Sequence, residues 1–422
     1  MRIWLTNRLG RPREVFAWAL YDWANSAFAT VVIAGFFPLF FKAYWSEGVD
    51  ATVSTFRLGV ANSVASLLVL LMAPVLGAIA DRDGFKKTFL RAFALLGITC
   101  TAALYFVGQG HWELAVACYV GGGIGFAAGN IFYDALILDV SDRGRLDVIS
   151  AFGFSLGYLG GGLLFALCVA MTLWPAAFGL ADKTAAVQLS FLVTAVWWAL
   201  FTLPLLVMVP ESRAPRDPLA GRIGSGVRRV MNTLGKLRHH RDAFLFLLAY
   251  WLYIDAVGTI IRMAVDYGMA LGFDTGDLIV ALLLTQFVGF PAALAFGWLG
   301  ARIGPQRGIF IGIFVYMGIT VWGYYMDSAW EFYGIAVVIG LVQGGVQALS
   351  RSLFARLIPD GEAAEYFGFY NLVGKFAAIV GPALMGWVAL VTGDNRTSLL
   401  SLLVLFGLGA LLLARVRNPD DP

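Results

Sequence analysis

Long apolar runs recur along the whole chain, and twelve of them are long enough to cross a bilayer as helices. A helix needs about 20 apolar residues to span the hydrocarbon core. Lipid offers the backbone no hydrogen-bond partner, so each run is predicted to be helical. Only 14% of the 422 residues are charged, against about 25% in soluble domains, which excludes a water-soluble globule. The predicted spans are residues 14–41, 55–80, 88–109, 112–140, 148–174, 186–210, 242–270, 277–300, 307–326, 330–358, 365–392 and 397–416.

The lysine and arginine residues fall mainly on one side of these spans. With the N terminus inside, 23 of the 30 lie in or beside inner segments, 4 in or beside outer segments and 3 within spans. Basic residues are enriched in cytoplasmic loops, so we expect both termini to be cytoplasmic. The first run, of about 27 residues, is too long for the core of a signal peptide and is predicted to be a span. The sequence therefore predicts a multi-pass protein of a bacterial inner membrane.

The longest polar interval divides the twelve spans into two groups of six. It covers residues 211–241 and holds eight basic residues. We therefore predict an N-terminal six-helix half at 1–210, a cytoplasmic basic linker at 211–241 and a C-terminal six-helix half at 242–422. Because each half has an even number of spans, both begin on the same side and would be parallel repeats.

A short charged turn after the second span recurs after the eighth. The first copy, Gly77–Lys87, reads GAIADRDGFKK, and the second, Gly297–Arg307, reads GWLGARIGPQR and begins 220 residues later. Two weaker matches follow at offsets of 233 and 215 residues, namely Trp18–Asp22 with Trp251–Asp255 and Phe152–Phe154 with Phe367–Phe369. The common order and similar offsets indicate a duplicated membrane protein.

Six charged residues lie well inside predicted spans, away from the span ends. A charge at the centre of a span costs about 2.5–3.5 kcal/mol, so such residues usually face a cavity or a partner. They are Asp22, Asp134, Asp255, Arg262, Arg351 and Lys375. Near them, Asn25, Gln347 and Asn371 supply neutral polar groups that could bind a ligand or join helices. All nine are candidates for binding a solute or a proton.

The charged candidates allow more than one interpretation. Asp22 and Asp255 are repeat mates, and either could carry a proton because burial disfavours the ionised carboxylate. Alternatively, each is ionised and fixes helix packing. Asp134 and Arg351, 217 residues apart, could form a salt bridge that breaks during transport or a static buried pair. Arg351 could instead grip a substrate carboxylate, and Lys375 could be a second anion contact or reach a backbone carbonyl.

Several classes of site are missing from the sequence. The three histidines lie at span ends or in the linker, and the three cysteines fall in apolar runs without metal or redox spacing. No nucleophile–base set, metal cluster or nucleotide loop is visible. We therefore predict buried free thiols, no enzyme activity, no cofactor or metal and no nucleic-acid partner.

Twelve spans, a central basic linker and the turn at Gly77–Lys87 resemble the Major Facilitator Superfamily over the whole chain. Locally, the segments YDWANSAF at Tyr21–Phe28, Gln347–Arg356 and Phe367–Lys375 are similar to its vacuole-effluxer-like subfamily, which includes fungal autophagy-related amino-acid exporters. The resemblance implies the all-α major facilitator fold, alternating access and a central cavity lined by spans 1, 4, 7 and 10. Five of the six intramembrane charges fall on those four spans.

The resemblance also implies that the charged turn holds an inner gate shut. The gate residues would be Gly77, Asp81, Arg82, Gly84 and Arg302, whereas Lys86 and Lys87 are given a topological role only. The second copy keeps an arginine but has Ala301 where the first has Asp81. We therefore expect the acid-dependent part of the gate to rest on Asp81.

Together these features predict a monomeric secondary active transporter whose partners are a small polar solute, protons and membrane lipids. The solute would be zwitterionic or anionic, and the resemblance suggests an amino acid or related metabolite. Two alternatives stay open, namely an exporter of lipids or amphiphiles and a membrane receptor or scaffold that transports nothing.

Overall fold

The computed structural model describes residues 11–49, 51–211, 240–270, 275–359, 361–376 and 380–417. Every regular element within these residues is helical, which confirms the predicted all-α fold. The main helices are α1 (Pro12–Ala27), α2 (Ala51–Asp83), α3 (Lys86–Ala103), α4 (Trp112–Ala135), α5 (Leu146–Leu173), α6 (Lys183–Met208), α7 (Arg241–Ala270), α8 (Thr275–Ile303), α9 (Pro305–Tyr325), α10 (Ala329–Leu357), α11 (Ala363–Phe376), α12 (Val380–Thr392), α13 (Asn395–Leu400) and α14 (Leu402–Leu413). Among the described residues, ten helical segments are long and apolar enough to cross a membrane.

The helices follow the predicted spans, with α11 and α12 in the eleventh span and α13 and α14 in the twelfth. The first span is longer than predicted and changes its helix type. After α1 it continues as a π-helix at Phe28–Phe36, an α-helical turn at Phe37–Phe40 and a π-helical turn at Phe41–Trp45. The apolar pattern predicted a helix here but carried no sign of its wider turns.

One side of the bundle carries the helix ends that flank the linker. α6 ends there at Met208 and α7 begins there at Arg241, so we call it the linker side and the opposite one the distal side. Between the two predicted halves, α5 packs along α8 and α2 packs along α11. All three cysteines are free, although Cys100 is half-buried and not buried as predicted.

The two copies of the charged turn share a glycine with a positive φ at the equivalent position. Gly84 has φ of 67° and Gly304 has φ of 86°, in the left-handed region that favours glycine. The helices before the two turns also meet the other half in the same way. A Cβ on Gly77 would lie 2.4 Å from the Ala364 carbonyl oxygen near the start of α11, and one on Gly297 would lie 2.3 Å from the Ala151 Cβ near the start of α5. The agreement supports the duplication predicted from sequence.

Candidate functional site

A buried arginine joins the two halves in the middle of the bundle. Arg351 on α10 is only 2% exposed. Its Nη1 donates to Asp134 Oδ1 on α4 at 3.0 Å, its Nε to Ser150 Oγ on α5 at 2.9 Å and its Nη2 to the Ser150 carbonyl at 2.9 Å. On the other side of the ion pair, the Asn371 amide donates to Asp134 Oδ2 at 3.0 Å. The structure thus contains the salt bridge that was one sequence interpretation, and it commits all three guanidinium nitrogens to protein groups.

Aromatic rings enclose this guanidinium. The centroids of the Trp18, Tyr133 and Phe154 rings lie 5.0, 5.3 and 4.3 Å from Arg351 Cζ, close enough for cation–π attraction. The Trp18 indole donates to the Tyr133 carbonyl at 2.9 Å, which fixes the two rings against each other. Because water is excluded, each polar group depends on its protein partner.

Asp22 lies beside this pair but has a different environment. It is 8% exposed on α1, and its carboxylate accepts hydrogen bonds from Ser26 Oγ at 3.1 Å and the Tyr133 hydroxyl at 3.4 Å. Both donors are neutral. No lysine or arginine of the described residues forms an ion pair with it, unlike Asp134. Asp22 can therefore change its charge without breaking a salt bridge.

Its repeat mate Asp255 holds backbone instead. Asp255 on α7 is 1% exposed, and its Oδ2 accepts the Gly381 N–H at 2.9 Å while its Oδ1 accepts the Thr259 hydroxyl at 3.4 Å. Gly381 comes directly before Pro382 in α12. Asp255 therefore ties α7 to α12, as in the alternative in which the carboxylate fixes helix packing.

The remaining candidates are more dispersed. Asn25 donates to Asn130 Oδ1 at 2.5 Å between α1 and α4, and Gln347 is half-buried one turn before Arg351. The side chains of Arg82, Arg262 and Lys375 lie outside the described residues. A solute- or proton-binding role for Asn25, Gln347, Arg262 and Lys375 stays a prediction, and so does a gate role for Arg82.

On the linker side, an aspartate at the end of α2 caps the start of α11. Asp81 Oδ1 accepts the Ala364 N–H at 2.9 Å, and Oδ2 accepts the Glu365 N–H at 2.8 Å. The first N–H groups of a helix have no acceptor within the helix, and the helix dipole favours a negative charge there. The carboxylate of one half thus satisfies backbone donors of the other.

Lys86 completes this cluster. It is 7% exposed, with its Nζ 3.1 Å from Asp139 Oδ2 and 3.8 Å from Asp81 Oδ1. The topological role given to Lys86 from sequence was therefore incomplete, because burial between two carboxylates could not be read from a basic turn.

Asp81 lies beyond the hydrocarbon core, because α2 with its 33 residues is about 50 Å long and the hydrocarbon is about 30 Å thick. Burial raises the pKa of Asp81 to about 6, although Lys86 and the two N–H groups oppose the rise, so the carboxylate is mostly ionised at pH 7.

A second buried contact between the halves lies nearby and was missed from sequence. Asp147 of α5 is 3% exposed, and its Oδ2 lies 2.7 Å from Arg356 Nη2 on α10, while Ser352 Oγ donates to its Oδ1 at 2.5 Å. A signal was available, because Asp147 begins one span and Arg356 ends another on the same membrane face. We call the Asp81–α11 and Asp147–Arg356 contacts together the linker-side gate.

The second copy of the turn contributes no such acid. Ala301 is exposed, and so is Arg302, whose guanidinium lies 3.6 Å from the centroid of the Trp298 ring on the same helix. Both gate carboxylates thus come from the N-terminal half. A gate role for Arg302 stays a prediction.

Gly77→Ala is expected to prevent close contact of α2 with α11. The new methyl group would lie 2.4 Å from a backbone oxygen, which cannot move aside as a side chain could. We expect cysteine probes near the start of α11 to become accessible to thiol reagents in this variant. Gly318→Ala, on α9 with no atom within 4 Å of the new methyl, is the matched control and is expected to behave like wild type. Equal labelling of the two variants would show that the close approach at Gly77 is dispensable.

Comparison with known proteins agrees with this architecture. The family model described as "Vacuole effluxer Atg22 like" matches residues 48–139 and 138–419. The chain belongs to this family. This Atg22-like chain is 41% identical over 403 residues to an uncharacterized MFS-type transporter, YxiO of Bacillus subtilis, covering 95% of the chain and 94% of YxiO. It is 22% identical over 518 residues to autophagy-related protein 22 of Pyricularia oryzae, covering 95% and 75% of the two.

A solved structure extends the likeness to three dimensions. The MFS transporter FucP, in a crystal structure described as the outward conformation, superposes with a TM-score of 0.71 at 14% identity, covering 96% of this chain and 98% of FucP. At this identity the match shows the fold alone. With the family and YxiO, it makes this Atg22-like chain a multi-pass MFS-type transporter and not an enzyme.

Proposed function

We propose that the protein is a secondary active transporter that moves a small polar solute by alternating access and couples this movement to protons. The observation that carries the proposal is the linker-side gate, in which buried polar contacts join the halves at one end of the bundle. In the distal half of α8, Gln286 Nε2 donates to Thr30 Oγ1 of the other half at 3.2 Å. At the distal helix ends, Gln109 with Glu47 and Tyr333 with Asp277 join helices of the same half. Polar contacts that close one end and can break are what alternating access requires.

The closed end faces the cytoplasm in this proposal. The excess of basic residues in the segments on the linker side supports that orientation, with both termini inside. Opening the cytoplasmic end then requires the contacts of Asp81 and Asp147 to break together.

Proton coupling is assigned to Asp22. Asp134 is already neutralised by Arg351, and Asp255 holds the backbone of α12. We call Asp22, Asp134 and Arg351 the central cluster. Asp22 accepts only from neutral hydroxyl groups, so proton binding there changes the net charge of the central cluster. A change of charge in a low-dielectric interior is worth several kcal/mol, which is enough to bias two conformations.

The solute is proposed to be an amino acid or a related metabolite, because the sequence resembles the vacuole-effluxer-like subfamily, which includes fungal autophagy-related amino-acid exporters. Tight packing of α5 against α8 argues against a lipid path along that seam. Ser155 Oγ donates to the Phe290 carbonyl at 3.0 Å, and the Tyr158 ring occupies the space where side chains at Gly289 and Gly344 would lie.

The test begins with a thermal-shift screen of metabolites on the purified protein and continues with flux in proteoliposomes. We expect flux of the solute found to follow an imposed proton gradient. Flux that ignores the gradient would reject proton coupling, and a screen without any ligand, together with no flux of labelled metabolites, would favour a receptor or scaffold.

Asp22→Asn is expected to abolish the gradient dependence, with at least a tenfold loss of gradient-driven flux, because an amide cannot exchange a proton. Solute exchange without a gradient should persist. Asp255→Asn is the matched control, since its amide oxygen can still accept the Gly381 N–H, and it should keep most of the gradient-driven flux. If Asp255→Asn lost the gradient dependence and Asp22→Asn kept it, proton coupling would be assigned to Asp255 instead.

A further inference from the structure

Three arginines converge on a small cavity at the linker side, away from the central cluster. The cavity has a volume of about 200 Å³ and is lined by Arg241 and Asp242 at the start of α7 and by Arg415 and Arg417 after α14. Both helices belong to the C-terminal half, so the cavity is not part of the linker-side gate.

The backbone that carries two of these arginines is firmly anchored. The Gln306 amide of α9 donates to the Leu413 carbonyl at 2.7 Å and to the Val416 carbonyl at 3.0 Å. Val416 is 4% exposed, and the N–H of Arg417 donates to Asp242 Oδ1 at 3.1 Å. The segment after α14 is therefore held against α7 and α9, which places the backbone of both exposed arginines beside the cavity.

The described residues compensate the positive charge of the cavity only in part. Within the described part of the chain, no hydrogen bond or ion pair engages the guanidinium groups of Arg241, Arg415 or Arg417. Among the described residues that line the cavity Asp242 is the single acid, and one of its oxygens already accepts the Arg417 N–H. Three like charges around one cavity repel each other, and an anion between them would turn this repulsion into attraction.

The chemistry of the guanidinium groups and the position of the cavity indicate which anion binds there. Guanidinium groups bind phosphate oxygens through paired charge-assisted hydrogen bonds. Leu411, one turn before Arg415, is 64% exposed on the apolar helix α14, so the cavity lies where a lipid-facing helix leaves the membrane. Basic pockets at this level meet lipid headgroups. We propose that the cavity binds a phosphate group supplied by the headgroup of an anionic phospholipid in the linker-side leaflet.

The test uses the full-length protein in detergent, with native mass spectrometry and thermal unfolding as readouts. Phosphatidylglycerol, phosphatidylcholine and inorganic phosphate are added separately. We expect wild type to retain phosphatidylglycerol and to be stabilised by it more than by phosphatidylcholine. The double variant Arg415→Gln/Arg417→Gln should bind phosphatidylglycerol at least about tenfold more weakly, because two charge-assisted contacts are lost.

Two further variants keep the test decisive. Arg307→Gln removes an exposed arginine on the same face but outside the cavity, and it should bind like wild type. Arg415→Lys/Arg417→Lys keeps the charge without the guanidinium fork and should bind with intermediate strength. Equal retention of phosphatidylglycerol by wild type and the glutamine double variant would overturn the proposal. Binding of inorganic phosphate without binding of phosphatidylglycerol would overturn the lipid as its source.

Discussion

Arg351→Ala is expected to destabilise the protein by about 3–5 kcal/mol and to abolish transport, because breaking a buried ion pair leaves an uncompensated charge. The carboxylate left behind, Asp134, would keep the Asn371 amide as its described partner. Ser150 would lose two hydrogen bonds from the other half. Thermal unfolding in detergent and solute flux in proteoliposomes measure the two effects.

The double variant Asp134→Ala/Arg351→Ala separates the buried charge from the packing. It removes both charges, so it should be more stable than Arg351→Ala alone. Arg351→Lys retains the charge but cannot make all three contacts and should fall between wild type and Arg351→Ala. A double variant whose destabilisation equals the sum of the single ones would contradict a direct interaction between the two side chains.

Asp81→Ala is expected to reduce solute flux by at least about tenfold. It removes two hydrogen bonds to a charged acceptor, each worth about 1.5–3 kcal/mol, and exposes the first N–H groups of α11 without a partner. A loss of about 3 kcal/mol from the closed gate changes the ratio of closed to open molecules by roughly 100-fold. Flux in proteoliposomes at matched protein density measures the effect.

Ala301→Ser is the matched control for this second prediction, because Ala301 occupies the equivalent position in the other copy of the turn and is exposed. It should transport like wild type. Wild-type flux in Asp81→Ala would leave the first turn with a topological role only.

The fold could be predicted because lipid permits few structures. Apolar runs of sufficient length must be helical, and the basic linker separates two equal sets of them. The Asp134–Arg351 salt bridge could be predicted as one alternative, because lipid also limits the partners that are available to a charge. Opposite charges at equivalent positions of two parallel repeats lie at equal depth, where each is the least costly partner for the other.

Other features depend on which helices pack together, and the sequence does not show those pairings directly. Asp147 and Arg356 appear in sequence only as charges at span ends, and their contact exists because α5 meets α10. Asp22 and Asp255 are repeat mates with the same side chain. Their different partners, hydroxyl groups for one and the Gly381 backbone for the other, follow from the helices packed beside each.

The central claim is that the two halves separate on the linker side when the gate opens. It is tested most directly by the distance between spin labels at Thr88 and Arg307, exposed positions in the first turns of α3 and α9. The labels are placed on a background in which the three native cysteines are alanine, and the distance is measured by double electron–electron resonance. We expect a predominantly short distance in wild type and a large second population at longer distance in Asp81→Ala. Identical distance distributions in the two proteins, with and without solute, would contradict the claim.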